Sequence, residues 1–152
     1  MLERFQGRDG RAALLNALRS QFLVDGNTDV ADKIASAAQL KEYAPGARLF
    51  ARGDRGTDLH MILAGQVSVR VGEIEVSTIG AGMHTGEIAL LEPFKGRSAT
   101  VDAIDTVVVA QISGQKFTEI AAHCPELWRR LGIELARRLV KLEATIYLEP
   151  VA

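Results

Sequence analysis

Cysteine, charge of one sign and long apolar runs are all scarce in this 152-residue chain. The single cysteine, Cys124, cannot form a disulfide within the chain, which is typical of proteins from a reducing cytosol. No apolar run approaches the roughly 18 residues of a membrane-spanning helix, and the first residues lack the apolar core of a signal peptide. The formal net charge of -1 gives no general attraction to nucleic acid or to an anionic membrane. These absences predict a cytoplasmic domain with no membrane segment and no direct contact with nucleic acid.

Catalytic and metal-binding signatures are also missing from the sequence. His60, His84 and His123 are far apart, and the nearest pairing with a carboxylate is His84 with Glu87. A metal site needs clustered ligands, and a Ser-His-Asp or Cys-His site needs a nucleophile beside a base. No glycine-rich loop ending in Gly-Lys-Ser or Gly-Lys-Thr occurs. We therefore expect no metal, no cofactor and no catalytic residue. A metal-dependent cupin enzyme stays open as a less favoured alternative, because cupins share the fold predicted below.

The order of hydrophobic patterns predicts an α+β fold. Residues 9 to 24 carry apolar side chains at spacings of three and four, which indicates an amphipathic helix, and a second helix follows. From residue 41 the pattern changes to six short β-rich runs separated by glycine-containing turns, which is typical of a small antiparallel barrel or jelly roll. The predicted division is a helical segment over residues 1–40 and a barrel with C-terminal helices over residues 41–152, together one domain.

Two helices are predicted after the barrel. Ser113 suits the N-cap of the first, and Pro125 suits the first turn of a long final helix that ends near residue 147. We call this final helix the lid helix. Its barrel-facing stripe carries Leu127, Leu131, Leu135, Leu139, Leu142 and Ile146. Its opposite face includes Ile133, Val140 and Tyr147 and needs a partner, so we expect a homodimer through this helix.

One loop, GEIALLEPFKGRSATV at residues 86 to 101, holds the polar groups of a ligand site. Gly86 permits close backbone approach, and the Glu87 carboxylate can accept hydrogen bonds from a ribose hydroxyl. The next residues can form one or two helical turns whose first N–H groups point at an anion. Arg97 and Ser98 can then return to bind and neutralise a phosphate. The loop therefore predicts adjoining contacts for a sugar and a phosphate.

The same loop resembles the phosphate-binding cassette of the cyclic nucleotide-binding domain family: a Gly-Glu pair, a short helix, and then Arg-Ser-Ala-Thr-Val. The resemblance covers about residues 35 to 145. It implies an eight-stranded jelly-roll barrel with flanking helices. The implied phosphate contacts are Arg97, Ser98 and the N–H groups of Ile88 and Ala89, and the implied ribose contacts are Gly86 and Glu87.

The lid helix resembles the corresponding helix of the bacterial catabolite activator family, which forms dimers and touches the base. Arg138 falls where that family pairs an arginine with the cassette glutamate, so the resemblance implies an Arg138–Glu87 bridge that couples the lid to the ligand. A Thr-Ser pair contacts adenine in that family, whereas this chain has Leu142 and Glu143, which disfavours cyclic AMP. The expected lining around the base is Val69, Val76, Ile79, Met83, His84, Thr85 and Leu142.

The opening segment, LERFQGRDGRAALLNALRSQ, resembles the N-terminal regulatory domain of Pycsar antiphage effectors. In that family a sensor of cyclic pyrimidine nucleotides is joined to a TIR or membrane domain. The resemblance implies a non-enzymatic sensor of cyclic UMP or cyclic CMP, with an effector such as a TIR NADase outside this chain. The alternative is a cyclic AMP-binding domain of a transcription regulator or another signalling protein.

Overall fold

A computed structural model describes residues 1 to 148, and its framework is a barrel of two four-stranded antiparallel sheets. The first sheet has the order β1 (Gln39–Tyr43), β8 (Val107–Ile112), β3 (Leu59–Ala64) and β6 (His84–Thr85). The second has the order β2 (Arg48–Phe50), β7 (Thr100–Ala103), β4 (Gln66–Val71) and β5 (Ile74–Gly80). The chain crosses repeatedly between the sheets, so this is the predicted antiparallel jelly roll.

Helices flank the barrel at both ends of the described chain. A short 3-10 turn precedes the α-helices, which are α1 (Gly7–Arg19), α2 (Thr28–Ala37), α3 (Glu87–Leu91), α4 (Gly114–His123) and the lid helix α5 (Glu126–Leu148). The Ser113 hydroxyl oxygen accepts a hydrogen bond from the N–H of Lys116 at 3.2 Å, which confirms the predicted N-cap of α4. Within residues 1–148, none of the helices has the length and hydropathy that crossing a membrane would take.

Two hydrophobic clusters lie on opposite sides of the first sheet. Neighbouring residues of a strand face opposite sides, so Ile62 on β3 faces the barrel interior while Met61 faces the helices. The helical side joins Met61 to Leu18 of α1, Phe117 of α4 and Leu127 of α5. Complete burial of side chains of this size stabilises the fold by about 1.5–3 kcal/mol each. The N-terminal helices therefore share a core with the barrel and with the start of the lid helix.

The sequence patterns missed two of the eight strands of the described chain. β1 begins at Gln39, inside the segment assigned to helices, because it pairs with β8 from Gln39 opposite Gln111 to Tyr43 opposite Val107. The strand is too exposed to show an alternating apolar pattern. β6 has only two residues, too few for any period to appear. The first helix ends at Arg19, earlier than predicted, and the residues after it form turns.

Candidate functional site

A cavity of about 350 Å³ opens between the barrel, the loop that carries α3, and one face of the lid helix. The barrel strands contribute Phe50, Val69, Val76, Ser77, Ile79 and Val101 to its lining. The loop contributes residues 85–89 and 97–99, and the lid helix contributes Leu135, Arg138, Leu139, Lys141, Leu142 and Thr145. The polar groups of the 86 to 101 loop thus share one cavity, whose remaining wall is largely apolar.

Gly86 holds the loop close to the barrel at the start of α3. Its φ of 95° lies in the left-handed region, which favours glycine. A Cβ atom at this position would lie 2.7 Å from the carbonyl oxygen of Asp58 and 2.8 Å from Nη1 of Arg97. The groups that come close to Gly86 in this structure are the Asp58 backbone and the Arg97 guanidinium, and a close approach by a ligand stays a prediction.

The Arg97 guanidinium is buried in the cavity wall, with 4% of the residue exposed. Its Nη1 donates to the carbonyl oxygen of Gly86 at 3.2 Å, and its Nη2 donates to the carbonyl oxygen of Asp58 at 2.9 Å. The guanidinium carbon lies 4.2 Å from the centre of the Phe50 ring, a cation–π contact. Burial lowers the pKa of Arg97. Its Nε has no hydrogen-bond partner among the described residues, so a buried cation here keeps donor capacity for an anion.

Glu87 and Arg138 join the loop to the lid helix. Nη1 of Arg138 donates to Oε1 of Glu87, which confirms the predicted ion pair. Arg138 also donates through Nε to Glu134 at 3.0 Å and through Nη2 to the carbonyl oxygen of His84 at 2.9 Å. Burial raises the pKa of Glu87, and the neighbouring Arg138 opposes that shift. Glu134 belongs to the lid helix itself, so the contacts of Arg138 that hold this helix against the barrel and the cassette are those to Glu87 and to the carbonyl oxygen of His84.

The cavity brings together most of the residues that the sequence assigned to a ligand. All six phosphate and ribose candidates line it, namely Gly86, Glu87, Ile88, Ala89, Arg97 and Ser98. Of the base candidates, Val69, Val76, Ile79, Thr85 and Leu142 line it. Met83 and His84 do not, so their assignment to the lining is corrected.

His84 lies outside the cavity because of its strand register. It pairs with Met61, and paired residues of neighbouring strands face the same side, here toward the helices. The ring is fully buried and neither nitrogen has a hydrogen-bond partner in residues 1–148. Burial, with a smaller contribution from Arg138, lowers the pKa of His84 to about 3. Met83 instead packs its half-buried side chain against the inner cluster of the barrel.

Several cavity residues were not predicted as ligand contacts. Leu135 and Leu139 were assigned only to the barrel-facing stripe of the lid helix, and with Leu142 their spacing of three and four could have indicated a shared wall. Lys141 and Thr145 extend the same wall. Phe50, beneath Arg97, carried no local signal because only the tertiary fold brings β2 to the loop.

No three His, Cys, Asp or Glu side chains come together in residues 1–148 in a way that could hold a metal ion. The ionisable groups that face the cavity are instead Arg97, Glu87, Arg138 and Lys141. A buried arginine and a carboxylate side by side suit a ligand with both an anionic group and hydroxyl groups.

Known proteins are similar to this chain in sequence. The family model of the cyclic nucleotide-binding domain matches residues 40–124. The Pycsar effector protein PaPycTIR of Pseudomonas aeruginosa is 38% identical over 139 residues, which are 91% of this chain and 45% of that protein. XpPycTIR of Xanthomonas perforans, another Pycsar effector protein, is 34% identical over 141 residues, 93% of this chain and 46% of that protein. This chain therefore spans less than half the length of these two relatives.

A solved structure extends the likeness to the fold. The catabolite activator protein of Thermus thermophilus matches with a TM-score of 0.74 and 25% identity, over 84% of this chain and 62% of that chain. The family match includes all of the 86 to 101 loop but ends before the lid helix. The structural match covers 84% of this chain, more than the family model does, so the similarity in fold extends beyond residues 40–124.

Proposed function

Because the chain belongs to the cyclic nucleotide-binding domain family, we propose that its cavity binds a 3′,5′-cyclic pyrimidine nucleotide, cyclic UMP or cyclic CMP, as an antiphage signal. The observation that carries the proposal is that Gly86–Glu87 and Arg97–Ser98 meet at one cavity closed by the lid helix. The choice of a pyrimidine is supported by the similarity to two Pycsar effector proteins over more than nine tenths of the chain.

Each part of the ligand has a group of the right chemistry. The cyclic phosphate is held by Arg97, the Ser98 hydroxyl and the first N–H groups of α3, at Ile88 and Ala89. The charge-assisted bonds from Arg97 contribute about 1.5–3 kcal/mol. The ribose 2′-hydroxyl donates to the Glu87 carboxylate. The base lies against the apolar wall, which includes Leu142 where the catabolite activator family has a hydroxyl side chain.

Ligand binding acts on the lid helix through Glu87. The ribose hydroxyl and Arg138 use the same carboxylate, so an occupied cavity changes the contact that holds the lid helix to the cassette. A ligand shifts the position of the helix only as far as its affinities for the two positions differ. The signal then passes to an effector region, and in a Pycsar effector of the TIR type any NADase activity would belong to that region. We assign this chain a regulatory role in the cytoplasm, without catalysis and without direct contact to nucleic acid or membrane.

The lid helix is also proposed to join two copies of the chain. Val140 is 63% exposed, and Ile133, on the same face, is half-buried. The side chain of Tyr147, the third predicted dimer residue, lies outside what the structure describes. An apolar face of this kind on a charged helix suits a second copy of the same helix.

A cyclic AMP-binding domain of another signalling protein is the second candidate. The structural match to the catabolite activator protein of Thermus thermophilus favours it. The loss of hydroxyl side chains at Leu142 and Glu143 opposes it, because the adenine amino group would lose its partners there.

Calorimetry with cyclic UMP, CMP, AMP and GMP on the purified chain separates these candidates. We expect measurable affinity for a pyrimidine nucleotide and weak binding of cyclic AMP. Tight binding of cyclic AMP alone would support the second candidate, and no binding of any of the four would contradict both.

Arg97→Ala tests the site itself and should abolish binding. Because it leaves the carbonyl groups of Gly86 and Asp58 unpaired, it also costs about 1–3 kcal/mol of stability, so circular dichroism must show that the variant is folded. Ser98→Ala is the milder variant and should weaken binding about two- to tenfold. Arg8→Ala, which removes an exposed arginine of α1, is the matched control. Undiminished affinity in a folded Arg97→Ala variant would refute the assignment of the phosphate site.

A further inference from the structure

Two polar side chains on the lid helix line the cavity and are not used by the proposed phosphate and ribose contacts. Lys141 makes no ion pair or side-chain hydrogen bond with the side chains that the structure describes, which are those of residues 1–146, although the residue lines the cavity. The Thr145 hydroxyl donates to the carbonyl oxygen of Lys141 at 3.0 Å. A hydroxyl has one proton, so this oxygen presents only lone pairs to the cavity. The wall therefore offers a charged donor and a neutral acceptor one helical turn apart.

These two residues lie beyond the ribose contact along the helix axis. Arg138 contacts Glu87, the proposed ribose-binding residue. Lys141 and Thr145 follow Arg138 three and seven residues later in the same helix. At the rise of an α-helix these positions lie about 4.5 Å and about 10.5 Å further along the axis. The neighbouring wall of the lid helix is apolar at Leu139 and Leu142. A base that extends from the ribose along this wall finds hydrogen-bonding partners on the helix at Lys141 and Thr145.

Resting on the proposed function, we propose that Lys141 and Thr145 select uracil over cytosine. Uracil presents a carbonyl oxygen, O4, beside a ring N–H at N3. The Lys141 ammonium donates to O4, and the Thr145 oxygen accepts from N3–H. Cytosine presents an amino group and a bare ring nitrogen at the same positions. It would place its amino hydrogens against the ammonium and a lone pair against the Thr145 oxygen. The two side chains thus match one pyrimidine and oppose the other.

The test is calorimetry of cyclic UMP and cyclic CMP with the unaltered chain and three variants. Lys141→Met keeps the apolar stem and removes the ammonium, and Thr145→Val keeps the shape and removes the acceptor. Lys116→Met, at an exposed lysine of α4 outside the cavity lining, is the control. We expect the unaltered chain to prefer cyclic UMP. Because Lys141 is exposed and solvent weakens its contact, each cavity variant should reduce that preference by about two- to fivefold.

The outcomes separate this inference from the proposed function. Cyclic UMP preference that is unchanged in both cavity variants would overturn the inference while leaving the proposed function intact. A preference for cyclic CMP in the unaltered chain would do the same. Failure of the unaltered chain to bind any cyclic nucleotide would remove the proposed function, and the inference with it. If Lys116→Met reduced the preference for cyclic UMP as much as Lys141→Met does, the inference would also be overturned, because that preference would then not depend on a residue of the cavity.

Discussion

The contact between Arg138 and Glu87 predicts a measurable energetic coupling between the lid helix and the cassette. Arg138→Met keeps the apolar stem of the side chain and removes the guanidinium. Glu87, with 4% of the residue exposed, is then left as a buried carboxylate without its cation. The carbonyl oxygen of His84 and the Glu134 carboxylate lose the same donor. The substitution therefore removes one cation and leaves three acceptors without their common donor.

The size of the effect follows from the burial of the pair. Removing one partner of a buried ion pair costs about 3–5 kcal/mol in free energy of unfolding. The Arg138 side chain is 26% exposed, so solvent screens part of the interaction and we expect a loss of about 2–3 kcal/mol. Glu87→Gln should cost less, because burial raises the pKa of Glu87 and thus already disfavours its charged form. The double variant carries neither charge, so its loss of stability should be smaller than the sum of the two single losses. We expect this difference, the coupling energy, to be about 1.5–2 kcal/mol.

Urea unfolding of the ligand-free chain at neutral pH, followed by circular dichroism, measures this double-mutant cycle. The Arg129–Glu126 pair of the same helix is the control, since its side chains are 67% and 55% exposed at a distance of 3.0 Å. Its coupling should stay below about 0.5 kcal/mol. A coupling energy between Glu87 and Arg138 as small as that of the control pair would refute this reasoning, because the contact would then not stabilise the lid helix against the cassette.

Substitutions at three other positions test the backbone, the buried histidine and the dimer. Gly86→Ala should lower the free energy of unfolding by more than Gly72→Ala, by about 1–2 kcal/mol or more, because both glycines have a positive φ but only at Gly86, of these two, would a new Cβ lie under 3 Å from other atoms; equal losses in urea would contradict this. His84→Leu should leave stability at neutral pH unchanged or raised, because it removes two unpartnered ring nitrogens. The pKa of His84 is lower in the folded chain, so between pH 6.5 and about 3 the unfolded chain binds a proton at His84 and the folded chain does not, which lowers the free energy of unfolding. The leucine variant should therefore lose less stability in acid, and an identical pH profile would count against the burial argument. Val140→Asp should convert a dimer to monomers in the ultracentrifuge, and a chain that is monomeric before the change would remove the dimer proposal.

The sequence by itself determined the parts of the site that lie close together along the chain. The 86 to 101 loop carries the candidate sugar-binding and phosphate-binding residues within 16 positions, so its local pattern could be recognised without knowing the fold. The contact of Arg138 with Glu87 could also be predicted, because the resemblance to a known family implied it. The β-rich runs and their turns were sufficient for the jelly roll, since strands of six or seven residues show their pattern locally.

Only the tertiary structure decided which side chains face the cavity. His84 was expected in the cavity, yet the pairing of β6 with β3 turns it toward the helices and turns Thr85 toward the cavity. A strand of two residues shows no periodicity from which this choice could be read. Phe50 reaches Arg97, and Lys141 and Thr145 reach the cavity, through contacts between distant segments. Sequence spacing determines which residues share a face of an element, whereas the packing of elements determines what that face meets.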